Sequence, residues 1–225
     1  MYNLPMITGN LDILIVSNEK EYAQAMAVRR EVFVDELKIA ENKEFDGNDF
    51  GATHILALDN GVPVGTMRIR YFSDFIKMER MCVIKDYRKT DASEQIMQKA
   101  MKFAAQKGYK KTYGVCKKEL LNRWKQNGFE PVLRAPCVEQ NGMTLVPVYA
   151  YLPEVDDFIT MQTNPDILNA KEGDWFDNDM SDGLLRIKSM TDKVKKIKQS
   201  SNADEQSIQN SFIPQTLYNA DDKSY

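Results

Sequence analysis

Acidic side chains are concentrated in one short stretch of the sequence, where they could bind a positively charged group. Glu44, Asp46 and Asp49 lie close together, and Arg29 precedes them. Together these residues could bind an amine and organise the loop that carries the carboxylates. The alternative is a solvated loop whose exposed ion pairs contribute little to stability. The spacing of the acidic residues leaves both interpretations open.

Two arginines follow in a segment that alternates between basic and apolar residues. Arg68 and Arg70 are separated by Ile69 and preceded by Met67. Alternate side chains of a strand point to opposite faces of the sheet, so both arginines should face the same side. We therefore expect that they could meet the acidic loop.

Histidine and cysteine chemistry is restricted by the composition. His54 is the only histidine. A His-based triad or a multi-His metal site would depend on it alone, and its place in an apolar segment favours a structural role. Cys82, Cys116 and Cys137 are an odd number without close spacing, which fits neither a disulfide framework nor a zinc site. We predict that the protein binds no metal and works in a reducing cytoplasm.

Charge and hydropathy argue against two classes of partner. The formal net charge is -3, whereas a surface that binds nucleic acid normally carries a basic excess. The N-terminal segment has no basic region, and polar residues interrupt its apolar run before a signal peptide or membrane span could form. We therefore expect neither a nucleic-acid partner nor a membrane partner.

The residues singled out above must be positioned by a succession of short strands and helices. Period-two and period-three-to-four patterns predict the order β-α-β-β-β-α-β-α-β-β. This order indicates an α/β (α+β) fold, in which helices pack on a mixed sheet. The predicted elements lie in turn at residues 11–16, 21–33, 53–58, 62–70, 77–84, 91–107, 110–115, 119–127, 131–133 and 144–152, with a loop at 35–50 and tight turns at Asn60-Gly61 and Asn141-Gly142.

The composition changes after Pro153, where polar residues become dominant. We predict a domain boundary near Glu154, with a globular domain at residues 1–154 and a polar extension at residues 155–225. One stripe of apolar residues in the extension predicts a helix at about residues 181–200. This helix could dock on its own domain, or it could form a contact with a partner or with a second copy of the chain. The stripe consists of Ile187, Met190, Val194 and Ile197.

Five segments, in this order along the chain, resemble landmarks of the GCN5-related N-acyltransferases, the GNAT superfamily. The resemblance covers about residues 11–152 and implies a mixed, mostly antiparallel central sheet flanked by helices. The acidic cluster and the closing PVYAYLP also resemble the acyl-homoserine-lactone synthases and N-acyl amino acid synthases of that superfamily. The five segments are VRREVFVDE at 28–36, EFDGNDFGATHILA at 44–57, GVPVGTMRIR at 61–70, KMERMCVIKDYRK at 77–89 and NGFEPV at 127–132.

The resemblance implies transfer of an acetyl or longer acyl group from a thioester to a primary amine of a small molecule or protein. The thioester would be acyl-CoA or an acyl-carrier protein, and no metal would be needed. In the family, the strand that matches Met81, Cys82 and Val83 splays from its neighbour, and its free backbone groups bind the pantetheine arm. In the synthase branch, positions that match Arg29, Glu44, Asp46 and Asp49 hold the amine substrate, and Arg68 is a further candidate for substrate binding. Phe33 could belong to the core or could line a substrate pocket for the acyl group.

The loop that would bind the pyrophosphate departs from the family pattern, Arg/Gln-x-x-Gly-x-Gly/Ala. This chain reads Arg88-Lys89-Thr90-Asp91-Ala92-Ser93. Side chains at the two glycine positions hinder close approach of the backbone to phosphate, and Asp91 adds a negative charge. Asp91 with Glu94 also forms the pattern of a capping box at a helix start. The altered loop leaves open a catalytically silent member of the fold that acts as a binding or regulatory module.

Two catalytic roles are implied by position. On the family pattern, Glu79 is the base that takes the proton of the amine, and the alternative is an ion pair with a nearby Arg or Lys. Trp124 stands where the family often has a tyrosine acid, but an indole cannot supply a proton. Tyr113 or Cys116 could substitute. A thiolate with a pKa near ~8.5 can also leave without an acid.

Overall fold

The computed structural model describes residues 11–176 with the exception of Asn141. The helix predicted at residues 181–200, and the partner contact suggested for it, lie outside the described residues.

Eight strands form one mixed, mostly antiparallel sheet, which confirms the predicted fold class. The strand order is β1-β2-β3-β4-β5-β8-β6, with β7 also paired to β8. Only the β4–β5 pair among the described strands is parallel. The strands are β1 Asp12–Ile15, β2 Thr53–Asp59, β3 Val62–Tyr71, β4 Ile76–Val83, β5 Lys111–Lys117, β6 Glu130–Pro131, β7 Val138–Gln140 and β8 Met143–Tyr151.

The helices pack on both faces of this sheet. A Cβ at Gly65 of β3 would meet Ile96 of α3, whereas Arg68 of the same strand faces the acidic loop on the other side. The helices are α1 Glu19–Arg29, α2 Glu41–Glu44, α3 Ala92–Gln106, α4 Leu121–Gln126 and α5 Pro165–Leu168, with a π-helical turn at Arg30–Glu36 and 3₁₀ turns at Lys85–Tyr87 and Lys118–Leu120.

The first helix begins at a side-chain cap and runs further than its apolar pattern predicted. Asn18 accepts a hydrogen bond of 3.0 Å from the backbone N–H of Glu21, as an N-cap residue should. After Arg29 the helix continues as the π-helical turn to Glu36. The loop predicted at residues 35–50 therefore begins after this turn, and it contains α2.

The hairpin between β2 and β3 confirms the strongest turn signal in the sequence. Asn60 has φ 50° and Gly61 has φ 80°, and Asp59 pairs with Val62 across them. Positive φ at both central residues is the geometry that Asn-Gly favours, because its twist matches the twist of the strands.

The C-terminal strands differ from the prediction. Of the strand predicted at residues 131–133, only Pro131 belongs to a strand, which runs Glu130–Pro131, and Leu133 is 87% exposed. The strand that precedes the tight turn is β7, whose Gln140 pairs with Met143 of β8. The sequence prediction missed β7 because it has only three residues and lacks a period-two pattern.

Residues 155–175 continue to pack on the sheet domain. The compact unit extends to Trp175, whereas the composition predicted a boundary near Glu154. Trp175 is 7% exposed, and its ring stacks on Phe103 of α3 at 5.5 Å. The backbone N–H of Ile159 also donates to the Gln106 carbonyl at 2.7 Å. These contacts explain why a polar composition does not separate this segment from the domain.

Candidate active site

Arg29 connects α1 to the acidic loop in the protein interior. Its side chain is fully buried. Nε donates to Glu44 Oε1 at 2.6 Å, and Nη1 donates to Asp49 Oδ1 at 2.5 Å. Nη2 donates to the Glu44 backbone carbonyl at 2.9 Å. Burial raises the pKa of Glu44, despite the charge and hydrogen bond of Arg29.

Arg68 connects the same loop to strands β3 and β4. The side chain is fully buried, and Nη1 donates at 2.8 Å to Asp46 Oδ1 and Asp49 Oδ1. Nη2 donates to Asp46 Oδ2 at 2.8 Å, and Nε donates to Glu79 Oε1 at 3.0 Å. The hydrogen bond from Arg68 holds the pKa of Asp46 well below its usual range. The expectation that both arginines could meet the acidic loop is met for Arg68, whereas Arg70 has its ion-pair contact with Glu79 of β4 at 3.9 Å.

Glu79, the candidate base, is engaged by cations at both oxygens. Oε1 accepts from Arg68, and Oε2 lies 2.7 Å from Lys77 Nζ. Burial raises the pKa of Glu79, but Lys77 and Arg68 outweigh that effect, and the pKa is lowered overall. A carboxylate with a lowered pKa is a weaker proton acceptor. The contacts correspond to the ion-pair interpretation of Glu79, and its role as base stays a prediction.

These contacts join into one connected set of charges, which we call the ion network. Its centre is buried at Arg29, Glu44, Asp49 and Arg68, whereas the side chains of Asp46, Lys77 and Arg80 are 25–27% exposed. The alternative of a solvated loop with exposed ion pairs therefore does not hold for Glu44 and Asp49. The ion network consists of Arg29, Glu44, Asp46, Asp49, Arg68, Lys77, Glu79 and Arg80.

We expect the ion network to make stability depend on pH in the acid range. The pKa values of Asp46, Asp49 and Glu79 are lowered, so the unfolded chain binds protons more readily than the folded protein. Their stabilising contribution is complete above the unfolded pKa values of about 4 and is lost as pH falls through the lower folded values. The urea midpoint should therefore decrease below about pH 4, partly offset by the raised pKa of Glu44.

Two variants separate this effect from general acid sensitivity. Asp46→Asn should lower the urea midpoint at pH 7 and flatten its dependence on pH. Asp157→Asn, at an exposed position, should reproduce the wild-type curve. A wild-type slope in Asp46→Asn would contradict a contribution from Asp46.

His54 lies next to the ion network and has a structural environment. Its side chain is 3% exposed, and Nε2 lies 3.2 Å from the Asp49 carbonyl oxygen. The ring meets Tyr22 edge-on at 5.4 Å. Burial lowers the pKa of His54, which favours the neutral imidazole.

A gap opens between β4 and β5 where their parallel pairing ends. The register includes only Ile76 with Thr112 and Lys77 with Tyr113. Beyond these pairs, the edges of the two strands that face each other are unpaired within the sheet. The resemblance implies splaying at this part of β4, and the role of Met81–Val83 in donor binding stays a prediction.

A cleft of about 390 Å³ adjoins this gap. The end of β4, the π-helical turn, the start of α3 and the 3₁₀ turn with α4 form its walls. Seven of the candidate residues line it: Phe33, Met81, Cys82, Val83, Arg88, Ser93 and Trp124. The remaining candidates are outside its lining: Arg29, Glu44, Asp46, Asp49, Arg68, Glu79, Lys89, Thr90, Asp91, Ala92 and Tyr113.

The position of Phe33 is compatible with the core and with a pocket wall. It packs against a buried cluster of Val28, Val32 and Cys82, and it also lines the cleft. An apolar wall at this position suits an acyl chain or a pantetheine arm.

The start of α3 is not capped as its sequence predicted. Asp91 occupies the N-cap position but makes no side-chain capping hydrogen bond, so the capping box with Glu94 is absent. Thr90 replaces it: Thr90 Oγ1 accepts from the Ala92 N–H at 3.2 Å and donates to the Tyr87 carbonyl at 2.7 Å. Among the described residues, the Ser93 N–H has no hydrogen-bond acceptor. An open amide at this position can bind an anion.

Two cleft residues that sequence reasoning missed carry charge near the phosphate loop. Arg123 of α4 reaches the first turn of α3, where Nη2 lies 3.2 Å from Ser93 Oγ and 3.6 Å from Glu94 Oε1. Glu36, at the end of the π-helical turn, accepts from both Nη atoms of Arg88. Neither residue belongs to the loop pattern, so only their three-dimensional position identifies them.

The thiols and Trp124 show limited reactivity. Burial raises the pKa of Cys82 and of Cys116, so neither is poised as a thiolate nucleophile. Trp124 lies against β5, where a Cβ at Gly114 would be 3.4 Å from its ring, and it meets Phe129 edge-on at 4.7 Å. Trp124 is therefore a wall of the cleft, and neither Tyr113 nor Cys116 is in the lining.

Residues 11–176 without Asn141 contain neither a cluster of metal-ligating side chains nor a membrane-spanning helix. No group of three or more metal-ligating side chains is arranged around a common point. None of the helices in this part of the chain has the length and hydropathy to span a bilayer.

Known structures share this fold. ElaA of Escherichia coli superposes with a TM-score of 0.56 at 21% identity, covering 62% of this chain and 99% of ElaA. BjaI, a CoA-dependent acyl-homoserine lactone synthase solved with SAM and isopentyl-CoA, gives 0.56 at 16% identity over 64% of this chain and 84% of BjaI. At these identities, the likeness establishes the fold alone.

Sequence comparison extends the likeness to a family. The model of the acetyltransferase (GNAT) family matches residues 20–129. The uncharacterized N-acetyltransferase YjcF of Bacillus subtilis is 36% identical over 95 residues, which cover 42% of this chain and 68% of YjcF. YyaT of the same organism is 33% identical over 101 residues, 44% of this chain and 68% of YyaT. This chain therefore belongs to the GNAT family of acetyltransferases and is an acyltransferase.

Proposed function

We propose that the protein transfers the acyl group of an acyl-CoA to a primary amine of a small molecule or protein, with the donor bound in the cleft beside β4. The observation that carries this proposal is the end of β4–β5 pairing after Lys77 and Tyr113, next to a cleft that Met81–Val83 line. Unpaired strand edges provide backbone donors and acceptors for an amide-containing arm. The CoA-dependent synthase with the same fold supports CoA over a carrier protein.

The proposal assigns the donor's pyrophosphate to the start of α3. The Ser93 amide and the positive end of the helix dipole favour an anion, and Arg88 and Arg123 line the same cleft. Guanidinium groups suit phosphate because their donors form a planar fork. In this site, Arg123 would compensate for the two missing glycines. Glu36 holds Arg88 and would have to release it to phosphate.

The proposed transfer forms one C–N bond, breaks one C–S bond and removes one proton from the amine. The amine nitrogen attacks the thioester carbon, the C–S bond breaks, and the thiolate leaves without an acid because its pKa is near ~8.5. The amine must lose a proton, for which Glu79 is the predicted acceptor, directly or through water. Recognition of the amine by the acidic loop also stays a prediction, and the carboxylates there already bind Arg29 and Arg68.

We expect acetyl-CoA or a longer acyl-CoA to bind the full-length protein with micromolar affinity in a calorimetric titration. Arg88→Ala and Arg123→Ala should each weaken binding by about tenfold, as expected for loss of a charge-assisted hydrogen bond to phosphate. Glu36→Gln should tighten binding a few-fold, because it frees Arg88 from its ion pair. Lys125→Ala, on the same helix as Arg123 but outside the cleft lining, is the matched control.

The results of binding and transfer experiments distinguish this proposal from its alternatives. If the folded wild type binds neither donor while Asp91→Gly does, this chain has lost the CoA site, and a carrier-protein donor or a silent binding module becomes the better account. Equal affinity of wild type and Arg123→Ala would remove Arg123 from the phosphate site alone. Transfer of the acyl group to any amine of a panel would exclude the silent module.

A further inference from the structure

Strand β4 carries a bulge at Arg80, immediately before the residues that line the cleft. Arg68 of β3 pairs with Glu79 and Thr66 pairs with Cys82, so the single residue between them on β3 faces two residues on β4. Arg80 has φ 54°, the left-handed region that is unfavourable for a residue with a Cβ. A bulge bends its strand and re-aims the residues that follow it.

The side chain of Arg80 is bound by the acidic loop at several points. Nη2 donates to the Lys43 carbonyl at 2.9 Å and to Asp46 Oδ2 at 3.2 Å. Nε lies 2.9 Å from Glu44 Oε2, an ion-pair contact without hydrogen-bond geometry. Glu44 and Asp46 are themselves held by other members of the ion network. The carboxylates that bind Arg80 are therefore held in place by residues outside β4.

The position of the bulge connects this anchor to the donor cleft. Pairing of β4 with β5 ends at Lys77, before the bulge, and Met81 follows the bulge directly. Met81, Cys82 and Val83 all line the cleft. A β4 without the bulge would shift these residues by one position, which exchanges the two faces of the strand.

We propose that Arg80 is a positioning residue: its anchor to Glu44 and Asp46 offsets the cost of the left-handed backbone and so holds the bulge that presents residues 81–83 to the acyl donor. This inference rests on the proposed acyl-CoA function of the cleft. On this inference, the acidic loop maintains the bulge of β4, a role that requires no contact with the amine.

The test compares Arg80→Gly with Arg80→Ala, because both remove the guanidinium but only glycine adopts positive φ without strain. Acetyl-CoA binding is measured by calorimetry on full-length variants whose folding is verified by circular dichroism. Arg80→Ala should weaken the binding of acetyl-CoA by about tenfold, because alanine retains the strain of a left-handed backbone without the anchor that offsets it. Arg80→Gly should remain within about twofold of wild type.

A matched pair at Lys111 controls for the general effect of glycine in a strand. Lys111 is exposed at the start of β5 and does not line the cleft. Lys111→Gly should therefore bind acetyl-CoA no more tightly than Lys111→Ala. Equal weakening by Arg80→Gly and Arg80→Ala would overturn the inference, because charge and not backbone conformation would then matter. If the wild type itself binds no acyl-CoA, the proposed function fails first, so the two failures are distinguishable.

Discussion

Replacement of Arg68 by methionine is expected to destabilise the protein by about 3–5 kcal/mol, the range for breaking a buried ion pair from one side. Arg68 is fully buried and contacts Asp46, Asp49 and Glu79. Methionine keeps an apolar side chain in place of the stem of arginine but removes the guanidinium, which leaves three carboxylates with less compensation. The free energy of unfolding, measured in urea at pH 7, should show this loss.

Arg70→Met provides the control within the same strand. Arg70 is 30% exposed at its side chain and lies 3.9 Å from Glu79, so its loss should change the free energy of unfolding by less than about 1 kcal/mol. The deficit of Arg68→Met should shrink as the pH is lowered toward 4, because protonation removes the uncompensated charges. A loss below about 1 kcal/mol at pH 7 would contradict the assignment of Arg68 to the centre of the ion network.

The sequence predicted which residues would meet, but not how deeply they would be buried. The alternation around Arg68 correctly placed it toward the acidic loop, because the period of a strand fixes its faces. Burial of Arg29 and Glu44 depends on how α1 and α2 pack over the sheet, and no local pattern encodes that. The alternative of a solvated loop is therefore wrong for Glu44 and Asp49, which packing buries, whereas Asp46 stays partly exposed.

The cleft residues also divide into those that a contiguous motif identified and those that only the fold brings together. The resemblance pointed to Met81–Val83 and to Arg88 because these lie in one contiguous motif. Arg123 and Glu36 reach the start of α3 from two distant segments, and neither has a signal of its own. The capping box failed for a related reason: Thr90 competes with Asp91 for the role of cap, and the pattern alone does not decide between them.

The ion network and the donor cleft share strand β4, which links stability to function. Glu79 and Arg80 face the buried charges, and the three residues after them face the cleft. A variant that loosens the network but keeps a residue with a Cβ at position 80 should therefore change donor affinity as well as stability. Because Arg68 and Lys77 already engage the carboxylate of Glu79, the contribution that we propose for these charges in acyl transfer is to hold the shape of β4.

Trp175→Ala is expected to destabilise the protein by about 3–5 kcal/mol, the range for truncating a buried Trp or Phe. The Trp175 ring is 7% exposed and stacks on Phe103, a core residue of α3. This loss in the free energy of unfolding would show that the cooperative folding unit extends beyond Glu154. It should appear in urea denaturation as a lower midpoint with one transition.

Met161→Ala is the control in the same segment, since its side chain is 96% exposed and a surface substitution should stay within about 0.5 kcal/mol. If Trp175→Ala also stays within about 1 kcal/mol of wild type, residues 155–175 are an appendage, and the boundary near Glu154 holds in solution. If both results are as expected, a chain that ends at Glu154 exposes Phe103 and loses part of its core. Such a chain would then be a poor choice for measuring acyl transfer, because loss of activity would report instability and not chemistry.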